Sequence, residues 1–323
     1  MSQKRILVTG AAGFVGSEVV AQATSCGTWV RGLDRRAVRS DGTEMIAADL
    51  SCVDKLRDAM AGIDCVIHAA GLAHTHQPCW DEWHAANVRA TGSLVSEAIG
   101  CGVPHVVLVS SVSVYGPTSA KLRDESAPCT PEGGYAQSKY LAESTAAGLV
   151  QGTSTALSIL RLGTVYGEGD RGNIARFIRA IYSRRFVWIG RGQNRKSLIY
   201  KTDVARAILA AAQERPSRPA VYNLTAEPCT VRDLVLTICA ALRQPPPRVA
   251  IPAAVAQSAA TAASALLRGE GRLGGLSADV RRLLADDAYD GSKFRATFHF
   301  REEVPLAEGV RREADWLLRS GIS

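Results

Sequence analysis

RILVTGAAGFVG, residues 5–16, sets a short apolar run directly against three glycines spaced three apart. The run RILVTG (5–10) has the aliphatic content of a strand buried on both faces. The stretch GSEVVAQATSCG (16–27) reads as a helix. A glycine-rich turn between a strand and a helix is the context in which such a fingerprint is specific. The spacing is GxxGxxG through Gly10, Gly13 and Gly16, with Phe14 and Val15 filling the last gap. Gly10 permits the tight turn, Gly13 lets the backbone approach a pyrophosphate, and Gly16 lets helix and strand pack closely. Free N–H groups and the helix dipole favour anions at that helix start. The expectation is a dinucleotide site.

Working outward, WVRGLD (29–34), EMIAADL (44–50), CVIHAAG (65–71), HVVLVSS (105–111) and ALSILRLG (156–163) continue the strand series. Helical stretches separate them, among them VDKLRDAM (53–60) and NVRATGSLVSEAIGCG (87–102). Short, mostly apolar strands alternating with helices imply a parallel sheet covered on both faces. The fold class is therefore α/β, a doubly wound parallel Rossmann sheet. Asp34 ends the second strand, where a carboxylate accepts both hydroxyls of an adenosine ribose, which suits NAD. Arg35 and Arg36 follow it, and an arginine there accommodates a 2′-phosphate, so NADP is the alternative. Asp49, followed by Leu50 after the third strand, would hold the adenine edge.

After about residue 165 the pattern loosens. GEGDRGN (167–173) reads as loop, IARFIRAIYSRR (174–185) as helix, and SLIY (197–200) and VYNL (221–224) as short strands. RQPPPRVAIP (243–252) cannot be helix interior. AAVAQSAATAASALLRG (253–269) and LAEGVRREADWLLRSG (306–321) read as helices. The expected organisation is a nucleotide-binding domain over 1–165, with 197–225 contributing back to it. A smaller, discontinuous α/β C-terminal substrate lobe would take 166–196 and 226–323.

At 323 residues the chain can bury a large core, and 46% hydrophobic with 21% charged residues places it among ordinary soluble globular proteins. Its eight cysteines form no CxxC pair and no metal-ligand spacing. Together with the immediate entry into a strand, this predicts reduced thiols, no leader peptide, no membrane insertion and a cytoplasmic location. The net charge of +7 favours anionic partners. The arginines are scattered and not interleaved with aromatics, which argues against nucleic acid and for phosphorylated nucleotides.

GGYAQSKY (133–140) places Tyr135 and Lys139 four apart, on one helix face. An ammonium beside a phenol lowers its pKa and makes it a usable proton donor and acceptor. A solvated helix face is the plain alternative, and the rest of the chain decides between them.

Read in order, TGAAGFVG (9–16), Asp34, Asp49–Leu50, HAAG (68–71), Asn87, SSVSVYG (110–116), YAQSK (135–139) and RLGTVYG (161–167) resemble the extended short-chain dehydrogenase/reductase family. The resemblance is to its nucleotide-sugar epimerase, dehydratase and reductase branch and covers essentially the whole chain. It implies a catalytic set of Ser111, Tyr135 and Lys139. Ser111 would bond the reacting sugar oxygen, Tyr135 would move its proton, and Lys139 would bind the nicotinamide ribose and lower the Tyr135 pKa. Ala69, Ala70, Gly71 and Asn87 would lie on the cofactor side, with His68 beneath. Val112 and Ser113 stand where the 4,6-dehydratases carry an Asp-Glu pair, which disfavours dehydration.

The resemblance further implies a nucleotide-diphosphate sugar substrate, UDP-linked, and a homodimer formed through helices 87–102 and 135–149. Asn173 matches the asparagine that opens the nucleotide-binding helix. Lys196, with Arg195 beside it, matches the residue that grips the diphosphate. Thr164 stands where the epimerases often carry Asn. His74 lies in the loop after the fourth strand, at the carboxyl end of the sheet; it is a candidate contact for the sugar or its phosphates, with plain loop structure as the favoured alternative. A metal pair of His74 with His76 lacks a third ligand, so no metal is expected. The implied activity is a UDP-hexose or UDP-N-acetylhexosamine 4-epimerase. A 4-keto-6-deoxy nucleotide-sugar reductase is the alternative, and a dinucleotide-sensing protein without turnover is the third.

Overall fold

The computed structural model describes residues 4–36, 43–73, 78–117, 122–266, 280–281 and 283–321. The chain opens with β1 (Arg5–Thr9), α1 (Phe14–Ser25), β2 (Trp29–Asp34), β3 (Glu44–Ala47), α2 (Val53–Met60) and β4 (Cys65–His68). A continuous helical segment follows, made of α3 (Trp80–Trp83), a π-helical stretch (His84–Arg89) and α4 (Ala90–Gly100). Next come β5 (His105–Ser111), a 3-10 turn (Val112–Tyr115), α5 (Gly133–Leu149), β6 (Ala156–Leu162) and β7 (Thr164–Tyr166). The remainder runs α6 (Asn173–Tyr182), β8 (Trp188–Ile189), β9 (Arg195–Lys196), β10 (Leu198–Tyr200), α7 (Lys201–Gln213), β11 (Ala220–Leu224) and β12 (Cys229–Thr230). It closes with α8 (Val231–Ala241), β13 (Ala250–Ile251), α9 (Ala253–Leu266), α10 (Ser292–Phe298) and α11 (Leu306–Arg319).

Seven strands form one parallel sheet in the order β11-β6-β5-β4-β1-β2-β3. Their Val, Ile and Leu side chains alternate between two apolar layers. Ile6, Val8, Ile67, Val107 and Leu160 pack with α1 and α7 on one face, and Leu7, Val66, Val106 and Ile159 with α2 and α4 on the other. Strands buried on both faces read as unbroken apolar runs, which is why they were visible as such. The strand order reverses between β1 and β4, the place where ligands bind in open α/β sheets.

The sequence predicts strand through Gly10 and through Leu50, yet β1 ends at Thr9 and β3 at Ala47. Gly10 leaves the strand because it turns at φ +70°. The helix expected from Asn87 begins earlier, at Trp80. A separate apolar cluster joins β7, β10, α6, α8 and α11 through Tyr166, Tyr200, Ile178, Leu234 and Val310.

Candidate active site

The loops after β1 and β4 meet at the switch point. A Cβ added to Gly10 would lie 2.7 Å from the Ala70 nitrogen, so the two loops touch backbone to backbone. A Cβ on Gly16 would sit 2.1 Å from the Gly10 carbonyl oxygen, so α1 approaches the turn as closely as chains can. Gly13 is the N-cap of α1, and neither a side-chain cap nor an acidic residue in the first turn competes for the N–H groups of Phe14, Val15 and Gly16. This cradle fits a pyrophosphate in charge and in space.

Asp34 lies beside it. Its carboxylate accepts the Ala12 N–H at 3.1 Å and the Arg36 N–H at 3.0 Å, which aims it along the crevice. The Arg36 guanidinium reaches back to the Ala12 carbonyl and stands 3.6 Å from Asp34, while Arg35 is exposed. Asp49 is held below the usual carboxylate range by hydrogen bonds from Ser51, and Leu50 is buried beneath it.

Ser111 ends β5, and its Oγ accepts the Ser113 N–H at 3.2 Å. The Tyr135 hydroxyl, from the second residue past the start of α5, bonds to Ser111. Lys139, one turn on, donates to the Val109 carbonyl at 2.6 Å. The three residues therefore converge at the C-terminal end of β5. Asn87 lies in the π-helical stretch, where its Oδ1 accepts the Leu72 N–H at 2.8 Å and its Nδ2 donates to Ser138 Oγ at 2.9 Å. Buried Asn87 thus bolts the loop after β4 to the helix that carries Tyr135 and Lys139. His68 sits below, neutral, between the hydroxyls of Thr9 (2.7 Å) and Thr91 (3.0 Å), its pKa pushed down to about 3 chiefly by burial.

One expectation about charge is corrected. The sequence predicts that Lys139 lowers the Tyr135 pKa. Here burial pushes the phenol above its usual value, and the Ser111 hydrogen bond offsets this in part. Lys139 is itself pulled down to about 8 by burial, against the pull of Glu143. Its ammonium is directed at a backbone carbonyl, so the desolvation it shares with Tyr135 dominates.

The residues expected on the substrate side are spread over three elements. Thr164 opens β7 and its N–H donates to Ser197 at 3.0 Å, while Asn173 is exposed at the start of α6. Arg195 and Lys196 form β9. The Lys196 ammonium bonds to Asp287 at 2.6 Å and to the Ala285 carbonyl at 3.0 Å. His74, together with His76, lies outside the described residues.

Two features lie outside the residues singled out from the sequence. Trp83 packs edge-on to Tyr135, with ring centroids 5.5 Å apart, in a space that exists only because residue 134 is glycine. Glu143, one turn beyond Lys139, is buried in a bidentate pair with Arg161 at 2.7 Å and accepts from Ser110 at 2.5 Å. Arg161 in turn lies 4.8 Å over the Tyr115 ring. Glu143 and Lys139 share a helix face, so the YxxxK spacing extended by one turn would have found the pair.

A family model described as the NAD dependent epimerase/dehydratase family matches residues 6–225. The chain belongs to this family. It is an extended short-chain dehydrogenase/reductase enzyme, and NAD is the cofactor of the family. The N-acetyl-alpha-D-glucosaminyl-diphospho-ditrans,octacis-undecaprenol 4-epimerase of Escherichia coli O157:H7 is 24% identical over 95% of this chain and 93% of its own. A 4-hydroxy-2-methyl-3-oxo-4-farnesyl-3,4-dihydroquinoline-1-oxide ketoreductase of Stigmatella aurantiaca is 30% identical over 68% of each chain. Among solved structures, MoeE5 in complex with UDP-glucuronic acid and NAD superposes with a TM-score of 0.79 at 27% identity, covering 98% of this chain and 100% of its own.

Proposed function

We propose that the protein is a 4-epimerase acting on a UDP-hexose or UDP-N-acetylhexosamine, with Ser111, Tyr135 and Lys139 as its catalytic residues. The observation that carries this reading is the Ser111–Tyr135 hydrogen bond beside half-buried Lys139, at the C-terminal end of β5. Phe14, Val15 and Gly16 N–H groups would hold the pyrophosphate of NAD and Asp34 its adenosine ribose. When bound, the nicotinamide supplies the hydride chemistry. Ser111 Oγ holds the sugar oxygen at C4, and the Tyr135 phenol takes that oxygen's proton or returns it. Lys139, whose ammonium lies on the Val109 carbonyl one turn from Tyr135, would bind the nicotinamide ribose. Val112 and Ser113 offer no acid or base, so the chemistry stays at one carbon. Asn173, with Lys196 or Arg195, would hold the nucleotide diphosphate from the other side. For Lys196 that role requires exchange of Asp287 for a phosphate oxygen.

The likeness to MoeE5 supports a UDP-linked substrate and the Escherichia coli relative supports 4-epimerisation. Thr164 favours a second reading, a reductase of a 4-keto nucleotide sugar, and the Stigmatella ketoreductase supports ketone reduction, though its named substrate is not a sugar. Incubation with UDP-sugars, with and without added NADH, separates them. Interconversion without net NADH consumption is the epimerase result, and stoichiometric oxidation of NADH on a 4-keto sugar is the reductase result. We further propose a homodimer through α4 and α5, where Tyr140, Leu141 and Leu149 are exposed.

A further inference from the structure

We infer that Glu313 and Asp170 share one proton that locks the start of α6 to α11, making Glu313 a positioning residue for the substrate site. The functional part of this inference rests on the reading above, in which Asn173 opens a substrate-binding helix.

Glu313 is 0% exposed on α11, and its Oε2 accepts the Gly167 N–H at 3.0 Å. Its other oxygen is buried and meets no donor among the described residues. Asp170, also buried, stands within hydrogen-bonding reach of Glu313. Two carboxylates cannot bond to each other, but a carboxylic acid and a carboxylate can. Asp170 is already committed as an acceptor, taking the Gly172 N–H at 2.7 Å and the Ala175 N–H at 3.4 Å. It thereby caps the first turn of α6, a position that favours the anion. The proton therefore belongs to Glu313, which donates it to Asp170 and so satisfies the orphaned oxygen.

The surroundings agree. Among the described residues, the charged groups that act most on Glu313 are Asp170 and Glu168, both acidic and both on the loop before α6. Tyr166 faces it from β7. Glu168 is itself bound by the Tyr200 hydroxyl at 2.5 Å and lies 3.6 Å from Lys201. Ile174 and Ile178 of α6 and Leu234 and Ile238 of α8 belong to the apolar cluster that Val310, Ala314 and Leu317 of α11 pack into. Burial, aided by Asp170, pushes the Glu313 carboxyl up to about 9. One proton thus ties α11 to the loop before α6, as the Gly167 bond does.

Glu313→Gln keeps the geometry without the titration, since its amide donates to Asp170 while its carbonyl accepts from Gly167. Infrared difference spectra of wild type against Glu313→Gln at neutral pH are expected to show a protonated-carboxyl band only in the wild type. Calorimetric titration with UDP between pH 7 and 10 is expected to show wild-type affinity falling about tenfold across pH 9, the worth of one charge-assisted hydrogen bond at its lower bound. Affinity of Glu313→Gln should fall by less over that range, since only ionisation of the uracil N3–H then weakens binding. Identical pH profiles, or no protonated-carboxyl band, overturn the inference. Should Glu313→Gln not fold, titration of the wild-type band decides: it must vanish only above pH 8, and its loss below pH 7 refutes the shared proton. A wild type that binds no UDP at any pH refutes the positioning role along with the proposed function, while the infrared result alone then decides whether the proton is shared.

Discussion

Asn87 and Ser138 are hydrogen-bonded at 2.9 Å across 51 positions of sequence. Through that bond the loop that ends β4 and the helix that carries Tyr135 and Lys139 are one rigid piece. Asn87→Ala leaves the Leu72 N–H without its side-chain acceptor and Ser138 without its donor. A buried polar group stripped of its partner costs about 1–3 kcal/mol. Urea denaturation should show a loss of that size, and an unchanged midpoint would mean that neither bond matters.

Tyr135→Phe keeps the ring against Trp83 and removes the oxygen that bonds Ser111. Turnover is expected to fall roughly 10²–10⁴-fold, the usual worth of general acid–base catalysis, with little change in substrate affinity. Steady-state kinetics on the converted UDP-sugar check it; near-wild-type turnover would remove the phenol from the mechanism.

Gly16→Ala sets a methyl group against the Gly10 carbonyl oxygen, a backbone atom that cannot step aside. NAD binding should be lost before the fold is. Gly148→Ala, in α5 with nothing within 4 Å of the new Cβ, is the control. It should raise stability by up to about 1 kcal/mol, because glycine is a poor helix former. Fluorescence titration with NADH and thermal melts of both variants separate the two effects.

Asp34 faces the crevice with both oxygens fixed by backbone N–H groups. A carboxylate there repels a 2′-phosphate. Wild type should bind NADH more tightly than NADPH, and Asp34→Ala should shrink the preference, since Arg36 would lose its counter-charge. At least tenfold tighter NADPH binding by wild type would assign cofactor choice to Arg36 instead.

His68 and His105 are buried neutral, with pKa values pushed down to about 3 and about 4 from 6.5. The unfolded chain binds protons that the folded one refuses, so stability rises with pH in this window. Their contribution is present above pH 6.5 and is lost as pH falls toward 4. Thermal melts should drop steadily from pH 7 to pH 4. His105→Asn, which can still bond Ser158, should flatten that slope, and a parallel slope would exclude His105 as a source.

The strands of the large sheet were legible because burial on both faces demands unbroken aliphatic runs, and the turn at Gly10 because only glycine fits there. The Tyr135–Lys139 pair was legible from helical spacing. What that pair experiences was not. The direction of the phenol's shift depends on desolvation by Trp83 and on where the Lys139 ammonium points, both set by contacts distant in sequence. The resemblance places Asn87 on the cofactor side, yet its partners are Leu72 and Ser138, which no local pattern announces. Asp170 looked like an ordinary loop acid, because the residue that changes its meaning is Glu313 on the last helix. The start of the helical segment at Trp80 was hidden because a π-helical stretch shifts the apolar spacing.

β11 completes the large sheet from beyond residue 219, beside β6, and α7 covers that face on the way there. Synthesis proceeds from the N-terminus, so β6 is made well before its neighbour and must wait with an open edge. A nascent chain halted before Ala220 would expose that row of unpaired backbone groups to other chains. Timing on the ribosome therefore bears on the yield of folded protein, as the stability of the finished fold does.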